Sequence, residues 1–218
     1  MLAHSIQHAT PTAEAQLGDL RFRNLLSAAD WAALPPDVRR RFSKRVADGA
    51  TAVYVGSLTE GWFSRAGWWL AQVLRPLGGP LPTSADIDVP SIVTVTEDMR
   101  AGGQVWTRLY ARRSGFPQVI HSAKRFTGRT GLEEYIGFGI AMALRVGVED
   151  GALVFRSAGF SLGSGRLRLR LPQWMEPGRL KVVHRDIGAG TFLFSLDLSH
   201  PLFGPLVRQS GLYREEKA

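Results

Sequence analysis

From residue 91 to residue 213 the chain alternates apolar and polar positions with a period of two, the spacing that sends successive side chains to opposite faces of a strand. Eight runs carry the pattern, at 91–97, 103–112, 117–126, 139–149, 152–158, 165–171, 179–187 and 190–199, and a ninth follows at 206–213. Several have one plainly apolar face, as in Phe192, Phe194, Leu196 and Leu198, or Ile140, Met142, Leu144, Val146 and Val148. The connections are short and turn-like (Ala101-Gly102-Gly103, Ser114-Gly115, Asp150-Gly151, Gly163-Ser164-Gly165, Gly188-Ala189-Gly190), which makes neighbours antiparallel. A meander of this size curls to avoid flat sheets and open edges. Before it come two short helical stretches between Leu17 and Phe42, broken at Pro35-Pro36, and a β-branched strand at 51–60.

The segment GWFSRAGWWLAQVLRPL (61–77) reads as one long helix with Trp62, Ala66, Trp69, Val73 and Leu77 along a single stripe. The pattern therefore predicts an α+β fold: a large curved antiparallel β-sheet, half-barrel or barrel-like, with N-terminal helices and one long helix packed against it. That helix is expected to plug the concave side, with Trp62, Trp69 and Val73 buried together. Residues 17–218 form a single domain in this reading, and 1–16, small, polar and Pro-containing, a disordered N-terminus.

Composition narrows the function classes. The 218 residues suffice for one sizeable core. No run reaches the roughly 20 apolar residues of a membrane span, and the first residues do not read as a secretory signal, so a cytoplasmic location is expected. Zero cysteines remove disulfides, thiol nucleophiles and thiolate zinc sites. None of the five histidines has a metal-ligand spacing, so no metal and no cofactor are expected. The net charge of +8, mostly arginine, favours acidic partners: a carboxylate- or phosphate-bearing small molecule, or an anionic membrane surface. Nucleic acid is disfavoured, because no recognised motif accompanies the charge and the aromatics do not interleave with it.

Short motifs spread over residues 20–213 resemble a bacterial family of unknown function. They are Leu34-Pro35-Pro36-Asp37-Val38-Arg39, Trp106-Thr107-Arg108, Glu133-Glu134, the turn Leu171-Pro172-Gln173-Trp174-Met175-Glu176-Pro177, and the closing Pro201-Leu202-Phe203-Gly204-Pro205-Leu206-Val207 with Gly211. The resemblance implies a domain that occurs alone or fused after an NAD(P)-binding reductase of the saccharopine-dehydrogenase or short-chain type, hence a reductase partner. It carries no catalytic residues. The chain's own GSLTEG and GFSLGSG are not dinucleotide-binding fingerprints.

Candidate chemistry concentrates where charge meets an apolar pattern. Trp106, Arg108 and Tyr110 share one strand face. If that face is interior, Arg108 needs a carboxylate or a ligand, and Glu133 or Glu134 is the available partner. These five residues are the candidate ligand-binding set. A two-residue turn at Asp150-Gly151 sets Arg145 opposite Arg156, a repulsive pair. It either flanks an anion or lies in water on the convex face, and the apolar side of the hairpin favours the second. In GRLRLRLP (165–172) the arginines form either a solvated face or a docking strip for anionic headgroups. Trp68, beside Arg65 and Arg75, suits a membrane interface, a partner surface or packing under a loop. Ser122, His184 and Asp197 make a catalytic triad only on paper, without a nucleophile elbow. Two functions follow: binding of a hydrophobic, lipid-like or acidic small molecule in the curved sheet, beside a reductase, or a cofactor-free enzyme (isomerase, cyclase or hydrolase) using Glu133 or Glu134 in the same pocket.

Overall fold

The computed structural model describes residues 18–164 and 167–216; the expected disorder of 1–16 lies outside them. Two short helices, α1 (Ala28–Ala33) and α2 (Pro36–Phe42), precede strand β1 (Ala52–Phe63) and helix α3 (Arg65–Val73). The rest is strand: β2 (Pro90–Asp98), β3 (Gly103–Tyr110), β4 (Gln118–Arg125), β5 (Glu133–Gly137), β6 (Ile140–Glu149), β7 (Ala152–Ser164), β8 (Leu167–Arg170), β9 (Arg179–Gly188), β10 (Thr191–His200) and β11 (Gly204–Glu216). With 52% of residues in strands and only short helices, the fold is mainly β rather than α+β.

Ten strands close into an antiparallel barrel, in the order β6-β5-β4-β3-β2-β1-β11-β10-β9-β7, with a β6–β7 ladder completing the ring. The expected curved sheet is thus a closed barrel rather than a half-barrel, and closure removes the free edges that a ten-strand meander would expose. β8 adds to the far half of β7 as a short arm. At one end, called upper, lie the β2–β3, β4–β5, β6–β7 and β9–β10 turns together with α1 and α2. At the lower end lie the β3–β4, β5–β6, β8–β9 and β10–β11 connections, with α3.

The β6–β7 turn follows the sequence logic. Asp150 (φ 46°) and Gly151 (φ 71°) both take positive φ, and Glu149 faces Ala152, Val146 faces Phe155 and Arg145 faces Arg156. Leu144, Leu153 and Phe155 are buried, while Arg145 and Arg156 are exposed on the outer wall, where Arg156 pairs with Glu149. Arg145→Ala should therefore change unfolding free energy by less than about 0.5 kcal/mol, as for other solvated side chains, in a urea titration.

The interior is plugged by α2, not by the helix after β1. Phe42 on α2 meets Phe22, Phe155 and His184 edge-on or tilted, with ring centroids 5.1, 5.9 and 5.0 Å away. Leu34, Val38 and Phe42 join Leu144, Leu153 and Phe155 in the main core. The expectation for 61–77 needs correction on two counts. Trp62 and Phe63 belong to β1, and the helix is only Arg65–Val73. Its stripe is also turned outward: Trp69 and Val73 are 64% and 65% exposed. The reason is Gly67, where any side chain would run into the Leu206 carbonyl of β11. Gly67 and Ala71 let the helix lie close on the barrel with Leu70 and Leu74 beside them, and the bulkier tryptophans cannot occupy that contact.

β8 is inverted in the same sense. Leu167 and Leu169 are 86% and 75% exposed, while Arg168 turns to Glu133 and Ser161 on the outer wall of the barrel. Arg166, the first arginine of that run, lies outside the described residues.

Candidate functional site: a charged layer inside the barrel

Strands β3, β4 and β5 lie side by side, and their inward positions stack into one layer. The registers set Trp106 opposite Ser122, Gln104 opposite Lys124, and Lys124 opposite Glu134. Arg108 Nη1 donates to Ser122 Oγ at 3.0 Å, and Ser122 Oγ donates to Glu134 Oε1 at 2.6 Å. Lys124 Nζ donates to Glu134 Oε2 at 3.1 Å, and Arg108 Nη2 lies 3.5 Å from Glu134 Oε1. All four side chains are buried. Aromatic faces complete the shell: Lys124 Nζ stands 4.9 Å from the Trp106 ring and 5.5 Å from the Phe155 ring, and Arg108 stands 5.9 Å from both Trp106 and Phe194.

The layer holds two cations and one carboxylate. Burial pushes the Glu134 carboxyl up, but Lys124, Arg108 and the Ser122 hydroxyl outweigh it and hold the group down at about 2. Burial lowers the Lys124 ammonium, with Glu134 opposing and Arg108 adding to the depression. Tyr110, also buried, has its phenol pushed up by burial.

Arg108 sits between two cavities. The lower, of ≈ 90 Å³, runs from Arg108, Lys124 and Glu134 past apolar Met142, Phe160 and Leu196 to the lower end. There Leu74, Pro80, Leu81 and Pro82 close it, the connector being tied by Gln118, which donates to the Leu81 carbonyl and accepts from Thr83. The upper cavity, of ≈ 30 Å³, lies between Arg108, Trp106, Tyr54 and Phe192 and the α2 residues Arg41 and Phe42.

A second polar unit lines the upper cavity. Arg41, 5% exposed, donates from Nε to His184 Nε2 at 3.0 Å and from Nη2 to Asp186 at 2.7 Å. Accepting that bond requires His184 to be neutral with its proton on Nδ1. Burial, then the Arg41 charge, hold its pKa well below 6.5. His184 binds no proton in the folded state while the unfolded chain does. Its contribution to stability is full above pH 6.5 and falls as pH drops below that value, at up to about 1.4 kcal/mol per pH unit. His184→Gln, whose amide oxygen can accept the same bond, should flatten the stability profile between pH 6.5 and 5. An unchanged slope would place the acid sensitivity elsewhere.

Of the five candidate residues, Trp106, Arg108, Tyr110 and Glu134 line the interior cavities. Glu133 does not. Neighbouring strand residues face opposite ways, so Glu133 sits on the outer wall, where Arg168 Nη1 meets it at 2.6 Å. Ser122, His184 and Asp197 are not assembled: Ser122 serves Arg108 and Glu134, His184 serves Arg41, and Asp197 pairs with Arg208 outside. Sequence reasoning missed Lys124 and Arg41. The signal for Lys124 was its even spacing from Ile120 and Ser122 on one strand face. Arg41 had none, since three consecutive arginines at a helix end look solvated.

A model of a domain of unknown function, DUF4166, matches residues 34–212. The chain belongs to the DUF4166 family. The match begins at the Leu34-Pro35-Pro36 element that opens α2 and ends at Leu212, just past Gly211, so this DUF4166 domain comprises the α2 plug and almost the whole barrel. No curated protein and no solved structure matches. Among the described residues no cluster of acidic or histidine side chains could hold a metal, and no helix is long and apolar enough to cross a membrane.

Proposed function

We propose that this DUF4166 domain binds an apolar small molecule carrying an acidic group, with the acid against Arg108 and Lys124 and the apolar part in the lower cavity. The observation that carries the reading is the charge balance of the inner layer: two buried cations share one carboxylate at the head of a mainly apolar cavity. A second anion there gains charge-assisted hydrogen bonds in a low-dielectric setting. The apolar wall rewards a hydrophobic body and penalises a free inorganic ion.

Size refines the reading. An engineered cavity of about 150 Å³ holds one benzene, so the ≈ 90 Å³ of the lower cavity takes only the head of a lipid-like molecule in this conformation. The tail must leave through the lower end, displacing the Pro80–Pro82 connector. Connection to a reductase, by fusion or contact, is part of the same proposal and rests on the family resemblance alone.

The enzymatic alternative is less well served. A carboxyl held at about 2 keeps no proton to give near neutrality and is a weak base, so Glu134 suits an electrostatic role better than proton transfer. The test is native mass spectrometry of freshly purified protein, followed by solvent extraction. A retained acidic amphiphile that is lost from Lys124→Met supports the reading. Protein that is ligand-free and that gains no mass on incubation with fatty acids contradicts it.

A further inference from the structure

The two ends of the barrel differ in a way that folding does not require. At the upper end the tips are polar or glycine-rich: Asp150-Gly151, Gly188-Ala189-Gly190 and Thr127-Gly128-Arg129. The exposed large apolar residues there, among those described, are Leu20, Met99 and Ile187. At the lower end successive tips each present bulky apolar side chains to solvent. Phe116 stands on the β3–β4 turn and Phe138 on the β5–β6 turn; Trp174 and Met175 lie between β8 and β9, and Leu202 and Phe203 between β10 and β11. Phe116, Leu202 and Trp174 are 90%, 84% and 79% exposed. Helix α3 adds Trp68 and Trp69, packed on each other at 5.1 Å and both exposed, and the β8 arm adds Leu167 and Leu169.

Arginine is the commonest charged residue at this end. Arg112 and Arg113 flank Phe116, Arg65 and Arg75 flank the α3 tryptophans, and Arg179 and Arg208 lie near the β9 and β10–β11 tips. The carboxylates at this end are Glu60, Asp86, Asp88, Glu176 and Asp197, the last paired with Arg208. Aromatic and aliphatic tips interleaved with arginine match a bilayer interface, where the rings sit at headgroup level and guanidinium groups meet lipid phosphates. The connector that closes the lower cavity lies at this same end.

We infer that the lower end of the barrel docks on a bilayer bearing anionic phospholipid, with the hairpin tips and α3 inserted into the headgroup region and the connector Pro80–Pro82 facing the membrane. The inference deepens the ligand reading, because it puts the cavity mouth over the phase from which an acidic amphiphile would come. Vesicle binding itself needs no ligand, so the two can fail separately.

The experiment is co-sedimentation of the full chain with vesicles of phosphatidylglycerol and phosphatidylcholine, compared with pure phosphatidylcholine. Partitioning should be at least tenfold stronger on the anionic vesicles and should weaken with salt. A Trp174→Ser/Phe203→Ser variant should lose about tenfold, while Met99→Ser at the upper end stays at the wild-type level. Both positions are solvent-exposed, and circular dichroism checks that the fold is kept. Lys124→Met should sediment like wild type; if it does while ligand retention is lost, docking and ligand binding stand as separate properties. The inference is overturned by equal partitioning on both vesicle types, by no partitioning, or by indifference to the rim variant. It is also overturned if wild type dimerises in analytical ultracentrifugation and the rim variant does not, which would make the end a subunit interface.

Discussion

Glu134→Gln should lower the unfolding free energy by about 3–5 kcal/mol, the cost of leaving buried charge without its partner. Glutamine keeps the shape and can still accept from Ser122, so no large cavity forms. What changes is that Arg108 and Lys124 then face each other across a neutral amide. For a domain of this size the loss corresponds to a drop of roughly 6–20 °C in Tm. Urea titration should show a lower midpoint at unchanged m-value. The same layer gives a pH signature. The folded pKa of Glu134 is about 2 against 4.5 unperturbed, so its contribution is full above pH 4.5 and is lost as pH falls toward 2. That acid slope should vanish in Glu134→Gln. Replacing the layer whole, with Arg108→Met, Lys124→Met and Glu134→Leu together, should recover most of the stability, because a well-packed apolar layer pays no desolvation. A destabilisation in the triple variant as large as in the single one would mean that the network stabilises the fold outright.

Phe42→Ala should cost about 3–5 kcal/mol, in the range for truncating a buried phenylalanine. Phe42 fills the upper end of the barrel against Phe22, Phe155 and His184, and neighbours on closed strands cannot collapse far into the space. Trp69→Ala on α3 should change stability by less than about 0.5 kcal/mol, although tryptophan is the larger residue. The pair of measurements identifies which helix plugs the barrel. A large loss at Trp69 with a small one at Phe42 would reverse the assignment.

Alternation along the chain was enough to expose the antiparallel meander, because each long strand has one wall in the core and one in water. The Asp150-Gly151 register was legible to the residue, since both positions require positive φ and the apolar set had only one face to occupy. Closure of the ring was not legible, since a half-barrel and a barrel share the same alternation. Strand β5 was missed: residues 133–137 do not alternate, and only the barrel's need for a strand between β4 and β6 makes them one. This is why Glu133 and Glu134 remained interchangeable in the sequence, although their side chains take opposite walls. The α3 stripe misled for a related reason. Hydrophobicity marked the tryptophans, but close approach to β11 selected Gly67 and Ala71. The apolar residues left outside then gather at the lower end, where the docking inference begins.

The central claim is that the inner layer recognises an acid attached to an apolar body. It is tested most directly by calorimetric titration of decanoate and decanol into wild type and Lys124→Met. Charge-assisted hydrogen bonds are worth about 1.5–3 kcal/mol, so wild type should bind decanoate roughly 10- to 100-fold more tightly than decanol. Lys124→Met should lose most of that preference while keeping its affinity for decanol. Equal affinity for the two in wild type, or a preference unaffected by removing Lys124, would contradict the account.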